Sequence, residues 1–323
     1  MLRFPRSLGL LLAAALFAAA PVSDIAPAVE TDSAPVDVDD PAIWVNPQDP
    51  ARSLIVGTVK QPKPNGGLLV YSLDGSIVER IPDLDRPNNV DILGDLCVVT
   101  ERLARQLRVY RVHAEAPHLR LIGTVPVFEG EAGELGAPMG IALYQRKKDR
   151  ALFAVVSRKQ GPSGSYLWQY RLHIAGDSVR GEKVRAFGAF SGAAEIEAVA
   201  VDGDRELIYY SDENCCVRVY RADPDRKDAA NEVARFAETG FEGNREGIAI
   251  AGRYILVTDQ LNPRSEYHVF DRRTRKEIAV WRGMSESTDG LDAIARPMGP
   301  RFPRGFLVAM NNAKRNFHIY RWP

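Results

Sequence analysis

The sequence predicts an all-β protein, a six-bladed β-propeller closed by an N-terminal strand, and three observations predict it. A short apolar run behind a turn or acidic residue recurs at Pro41, Val90, Met139, Ile196, Glu246 and Asp289, at spacings of 49, 49, 57, 50 and 43 residues. Each start is followed by two further β-branched or aromatic runs and, in five of the six repeats, by a fourth, while helix-period patterning is almost absent. The last repeat stops at Trp322-Pro323 after its third run, so its fourth strand has to come from the unassigned stretch Val29 to Val36. Strands in fours at a period near fifty residues read as propeller blades, and an N-terminal strand closing the ring leaves no open sheet edge. A β-sandwich or two smaller β-domains is the alternative that such strands allow.

Residues 1–28 read as signal peptide and linker. Arg3 and Arg6 precede the apolar run Leu8 to Ala20, which is shorter than the roughly 20 residues needed to span a bilayer. The expected location is therefore secreted or periplasmic, with no membrane association after cleavage. Residues 29–323 form the single propeller domain. The second runs of the blades are Leu54–Thr58, Leu96–Thr100, Leu152–Ser157, Leu207–Ser211, Tyr254–Thr258 and Phe306–Met310. The third runs carry an aromatic near the end: Leu68–Tyr71, Leu107–Tyr110, Leu167–Tyr170, Val217–Tyr220, Tyr267–Phe270 and Phe317–Tyr320. Fourth strands are visible as in Ile77–Ile81 and Glu277–Trp281.

A 45% hydrophobic content over 323 residues is enough for one large core or two modest ones. Lys+Arg and Asp+Glu balance at 42 each, which removes any charge-based case for a nucleic-acid or membrane partner. A small-molecule partner and a monomeric state are expected. Three cysteines are too few for a disulfide framework. Cys97 reads as a buried small residue. Cys215-Cys216 reads as two free thiols on opposite faces of a strand rather than a vicinal disulfide, with its oxidation state left open.

Within a blade, successive strands run antiparallel, so the start of the first strand and the end of the second lie on one face of the disc near the channel. Strand-one starts supply Asp39 and Asp40, then Asn88, Asn89 and Asp91, then Glu195 and Glu197, then Glu246, then Asp289 and Asp292. Strand-two ends supply Lys60-Gln61, Glu101-Arg102, Arg158-Lys159, Asp212-Glu213, Asp259-Gln260 and Asn311-Asn312. One rim is thus expected to be basic and the other acidic. Carboxylates gathered without histidine or thiolate partners favour a hard cation with oxygen ligands, Ca²⁺ before Mg²⁺. The five histidines fall in or near third and fourth strands and are given no chemistry.

The stretches Asp39-Asp40-Pro41-Ala42-Ile43-Trp44, Asn88-Asn89-Val90-Asp91-Ile92, Gly181 to Phe187, Arg245-Glu246-Gly247-Ile248, Thr288-Asp289-Gly290-Leu291-Asp292 and Gly299 to Phe306 resemble those of the β-propeller phytases. These are calcium-dependent enzymes that hydrolyse phytate, myo-inositol hexakisphosphate. The resemblance covers residues 37 to 322. It implies several bound calcium ions, a polyanionic inositol phosphate as substrate, and phosphomonoester hydrolysis of the 3-phytase type by a metal-activated water. Carried over by position, Lys60, Arg102, Arg158 and Lys159 would hold phosphate. Asp39, Asp40, Asp91, Glu197, Asp212, Glu246 and Asp289 would be metal ligands, with Asp212 and Glu246 also polarising the attacking water. The sequence departs from the family at Met139, Gln160, Gln61 and Asn244. Two other readings stay open: a calcium-dependent lactonase or esterase, which also occurs on six-bladed propellers, and a non-catalytic protein-binding propeller with structural calcium.

Overall fold

The computed structural model describes residues 20–323, and the apolar run expected to end a signal peptide lies almost wholly outside them. Six sheets follow one another around a central channel. Blade one consists of Val38–Trp44, Leu54–Val59, Gly67–Ser72 and Ile77–Pro82. Blade two consists of Pro87–Leu93, Leu96–Glu101, Gln106–Val112 and Leu119–Pro126, and blade three of Pro138–Gln145, Leu152–Arg158, Leu167–Ala175 and Ser178–Phe187. Blade four is Val199–Asp202, Leu207–Asp212, Cys216–Arg221 and Ala234–Phe236; blade five is Asn244–Ala251, Tyr254–Gln260, Glu266–Asp271 and Glu277–Arg282. Blade six has only Leu291–Ile294, Phe306–Asn311 and Asn316–Arg321 from its own repeat, and Val29–Glu30 completes it by pairing antiparallel with Ile319 and His318. The ring closes as the repeats predict. Upstream, within the stretch read as leader and linker, Val22–Asp24 lies parallel to Val280–Arg282 as a fifth strand of blade five.

Alternation along each strand sends neighbouring residues into different cores. In blade one Val56 packs toward blade two, among Val90, Val99 and Tyr110, whereas Ile55 packs toward blade six, among Val308 and Phe317. The same division recurs around the ring. Each of the six apolar clusters lies between two adjacent blades, including the pair formed by blades one and six. Burial of both faces explains why second strands read as continuous apolar runs. Cys97 is one of these buried residues, between blades one and two. Among the described residues the only helical turns are the short 3₁₀ segments Pro50–Arg52 and Gly133–Gly136.

Cys215 and Cys216 do not sit on opposite faces of a strand as free thiols. Cys215 lies in the hairpin turn that follows Asp212, Cys216 opens the third strand, and the two are joined as a disulfide. The turn breaks the strand alternation that would have separated them.

Candidate functional site

The mouth of the channel is built by two recurring devices. In blades one, two and four a Ser or Thr near the end of the second strand reaches across to the next blade. Thr58 Oγ1 donates to the Asn88 carbonyl (2.7 Å), Thr100 Oγ1 to that of Met139 (2.6 Å), and Ser211 Oγ to that of Glu246 (3.0 Å). Aspartates on the first strands make the second link. The Asp292 carboxylate accepts from Ile43 N–H (2.8 Å), Asp40 from Val90 N–H (3.0 Å) and Asp91 from Leu143 N–H (2.6 Å). Backbone from separate blades is thereby held at a fixed spacing around the axis.

Lys60 is the centre of one half of the mouth. Its ammonium pairs with Asp39 and lies 3.6 Å from Asp289 and 3.9 Å from Glu197. Asn88 Nδ2 donates to Asp39 (3.0 Å) and to Glu197 (2.6 Å), and Gln260 donates to Asp289. Blades one, two, four, five and six thus meet here. Burial alone would lower Lys60, but the surrounding Asp39, Glu197 and Asp289 hold it above its ordinary value.

The other half is more acidic. Carboxylate oxygens of Glu195, Glu197 and Glu213 come within 4.8 Å of one another. Lys159 pairs with Glu195, and Asn244 Nδ2 stands 3.4 Å from both Glu213 and Glu246. Burial, then the charges of Glu197 and Glu195, push Glu213 up to about 8. Burial followed by Glu213, Glu197 and Asp289 raises Glu246 well above the carboxylate range, and burial followed by Asp39 does the same for Asp289. On the rim of the mouth, Arg102 donates to Met139 Sδ. Six carboxylates therefore face three cations, Lys60, Lys159 and Arg102, through oxygen donors alone.

Of the residues singled out from sequence, Asp39, Lys60, Arg102, Lys159, Glu197, Glu246 and Asp289 converge. Asp40 and Asp91 lie deeper. With Asp292 they line a channel cavity of about 230 Å³, and both Asp91 oxygens are taken by backbone N–H groups, those of Leu143 and Ile92. Burial raises Asp91 to about 6 and Asp292 to about 7. Arg158 and Asp212 are not brought to the mouth. Arg158 is buried beside the rings of Phe128 and Trp168, donates to the Leu135 and Ser165 carbonyls, and faces Glu131 at 3.1 Å. Asp212 is fully buried and accepts from Arg218 Nε (2.8 Å), Ser191 N–H (2.8 Å) and Ser191 Oγ (2.6 Å). In each case the next residue, Lys159 or Glu213, occupies the mouth instead. Successive strand residues point to opposite faces, and this parity, readable once one pair is oriented, would have selected Glu213 over Asp212. Glu195 and Gln260 were visible as polar residues at the right strand ends without a role to distinguish them.

A family model described as Phytase matches residues 8–322. The chain belongs to the phytase family. It is also 25% identical over 317 residues to the 3-phytase of Bacillus subtilis (strain 168), an alignment covering 88% of this chain and 79% of that one. Family membership makes this protein an enzyme.

Proposed function

We propose that this enzyme is a calcium-dependent phosphomonoester hydrolase acting on phytate and releasing inorganic phosphate. The observation that carries the reading is the excess of carboxylates over cations at a site assembled from all six blades. A polyanion would be repelled by such a mouth, and the mouth resists its own ionisation, as the raised Glu213, Glu246 and Asp289 carboxyls record. The oxygen-only donor set of Asp39, Glu195, Glu197, Glu213, Glu246 and Asp289, drawn from four blades, fits Ca²⁺. Calcium held there would neutralise phosphate oxygens and lower the pKa of a bound water.

The chain's own groups divide the remaining work. Lys60 and Lys159 are cations already among the carboxylates, free to exchange an internal partner for a phosphate oxygen. Among the described residues Arg102 has no carboxylate partner, and it presents a planar donor set suited to phosphate. Asn88 and Gln260 hold Asp39, Glu197 and Asp289 in place by donating to them. No side-chain nucleophile is needed. The basic residues at the mouth favour an anionic substrate over a lactone. Export to the periplasm or medium, read from Arg3, Arg6 and the following apolar run, belongs to the same proposal.

Phosphate release from phytate by the purified protein tests the reading. Release that stops on adding EDTA and returns with excess calcium is expected; release indifferent to EDTA, or none with calcium present, overturns it.

A further inference from the structure

Glu213 reaches the mouth on a tight hairpin turn of blade four. Asp212 and Cys216 are the last residues paired across the hairpin, so Glu213, Asn214 and Cys215 make the turn. Cys215 N–H donates to the Asp212 carbonyl (2.7 Å) within it. Glu213 also ties the turn to both neighbours: its N–H donates to the Glu195 carbonyl (3.2 Å), and its own carbonyl accepts from the backbone N–H (3.2 Å) and Nη1 (3.1 Å) of Arg245 in blade five. The conformation of three residues therefore fixes where Glu213 stands relative to Glu195 and to the strand that carries Glu246.

Carboxylate oxygens of Glu195, Glu197 and Glu213 lie within 4.8 Å of one another. Acidic groups gathered this closely separate unless the backbone beneath them is held. Here the restraint is covalent. The disulfide joins Cys215, the last residue of the turn, to Cys216, the first of the third strand, closing the smallest ring that two cysteines can form. Cys216 is fully buried and anchors one end of that ring, whereas Cys215 is half-buried beside the exposed Asn214 and can be reached from solvent. Cys215 Sγ stands 3.8 Å from Nη2 of Arg218, whose other nitrogens pair with Asp212 (2.8 Å) and Glu232 (2.6 Å).

We infer that Cys215 and Cys216 are positioning residues with a redox dependence: their disulfide holds the turn that carries Glu213 beside Glu195 and Glu197, and reduction by a dithiol releases that turn and weakens the site's hold on calcium. In the first step a thiolate of the dithiol bonds to the accessible Cys215 Sγ, the bond between the two cysteines breaks, and its electron pair leaves on Cys216 Sγ, which takes up a proton. The dithiol's second thiolate then attacks its own sulfur in the mixed disulfide and expels Cys215 as a thiolate beside the Arg218 guanidinium, which favours that departure. The dithiol ends as a disulfide, the two cysteines end as thiols, and the two protons they gain are those the dithiol shed. Calcium affinity depends on how rigidly the oxygen ligands are held, so a loosened Glu213 lowers it without any ligand being removed. This inference rests on the proposed calcium site.

The parent protein is compared in the disulfide form, after reduction with dithiothreitol and its removal without oxygen, and after reoxidation, with thiol titration confirming each state. The doubly substituted Cys215→Ser, Cys216→Ser protein serves as a form that cannot reoxidise. Calcium affinity by calorimetry is expected to fall about fivefold on reduction and to return on reoxidation. Amide hydrogen exchange at Glu213, Cys215 and Arg245 should quicken about tenfold in the metal-free reduced protein, while that at Ile43 and Val90, whose N–H groups are held by Asp292 and Asp40, stays unchanged. The doubly substituted protein should match the reduced parent and ignore the dithiol. Unchanged exchange at Glu213 and Cys215, or an equal quickening at Ile43 and Val90, overturns the inference whatever calcium does, and so does an equal calcium affinity in the two states. If neither state binds calcium, the calcium reading fails, while faster exchange confined to the turn still supports the hold of the disulfide on Glu213.

Discussion

Asp212 and Glu213 are adjacent acids with opposite environments, and each should respond differently to removal. Asp212 is a buried partner of Arg218, so Asp212→Ala leaves that guanidinium with Glu232 as its remaining carboxylate partner and is expected to lower stability by about 3 kcal/mol, measured by denaturant unfolding, with calcium affinity per folded molecule retained. Glu213→Gln should do the reverse: calcium affinity falls, and the metal-free protein becomes no less stable, because Gln keeps the uncharged state that Glu213 already holds below pH 8. A pH effect follows from the same residue. Glu213 is raised from 4.5 to about 8 in the folded metal-free protein, which therefore holds a proton that the unfolded chain releases between those values. Its contribution to stability is full below pH 4.5 and is lost as pH rises through 8. The melting temperature of the metal-free protein should accordingly fall from pH 5 to pH 8, and Glu213→Gln should flatten that slope.

At the scale of the element, the first strands are positioned by contacts that have no room for change. Gly290 packs directly on Asp39 and Asp40, and a Cβ there would overlap Asp40. Gly290→Ala is expected to push blade six away from blade one, displacing Asp289 from Lys60 and abolishing phosphate release, while Gly203→Ala, at an open position, should leave activity intact. The hydroxyl links between blades are subtler. Ser211→Ala removes the bond to the Glu246 carbonyl and should cost about 1 kcal/mol in thermal stability and weaken calcium binding modestly. These links explain the Thr or Ser that ends the second run in blades one, two and four, a feature visible in the sequence whose purpose became visible only with the neighbouring blade in place.

Over the whole molecule, stability comes from six inter-blade cores that complete one another only when the ring is closed. Val29–Glu30 closes it, supported by Thr31 N–H on the Phe317 carbonyl (2.9 Å) and Ala34 N–H on that of Arg315 (2.8 Å). Deleting residues through Asp32 should expose the edge of blade six, lower the melting temperature and promote aggregation. Deleting only through Asp24 removes three exposed strand residues from blade five and should have a much smaller effect, both read by light scattering and thermal melts. The sequence by itself determined the number of blades, their strand order, the closing strand and the convergence of Asp39, Glu197, Glu246, Asp289, Lys60, Arg102 and Lys159, because alternation and a fifty-residue repeat are local properties of a chain. It could not determine which member of each strand-end pair turns to the channel, or that Asp91 serves the backbone. Those outcomes depend on strand parity and on what the adjacent blade offers each side chain, and adjacency between blades exists only in the closed ring.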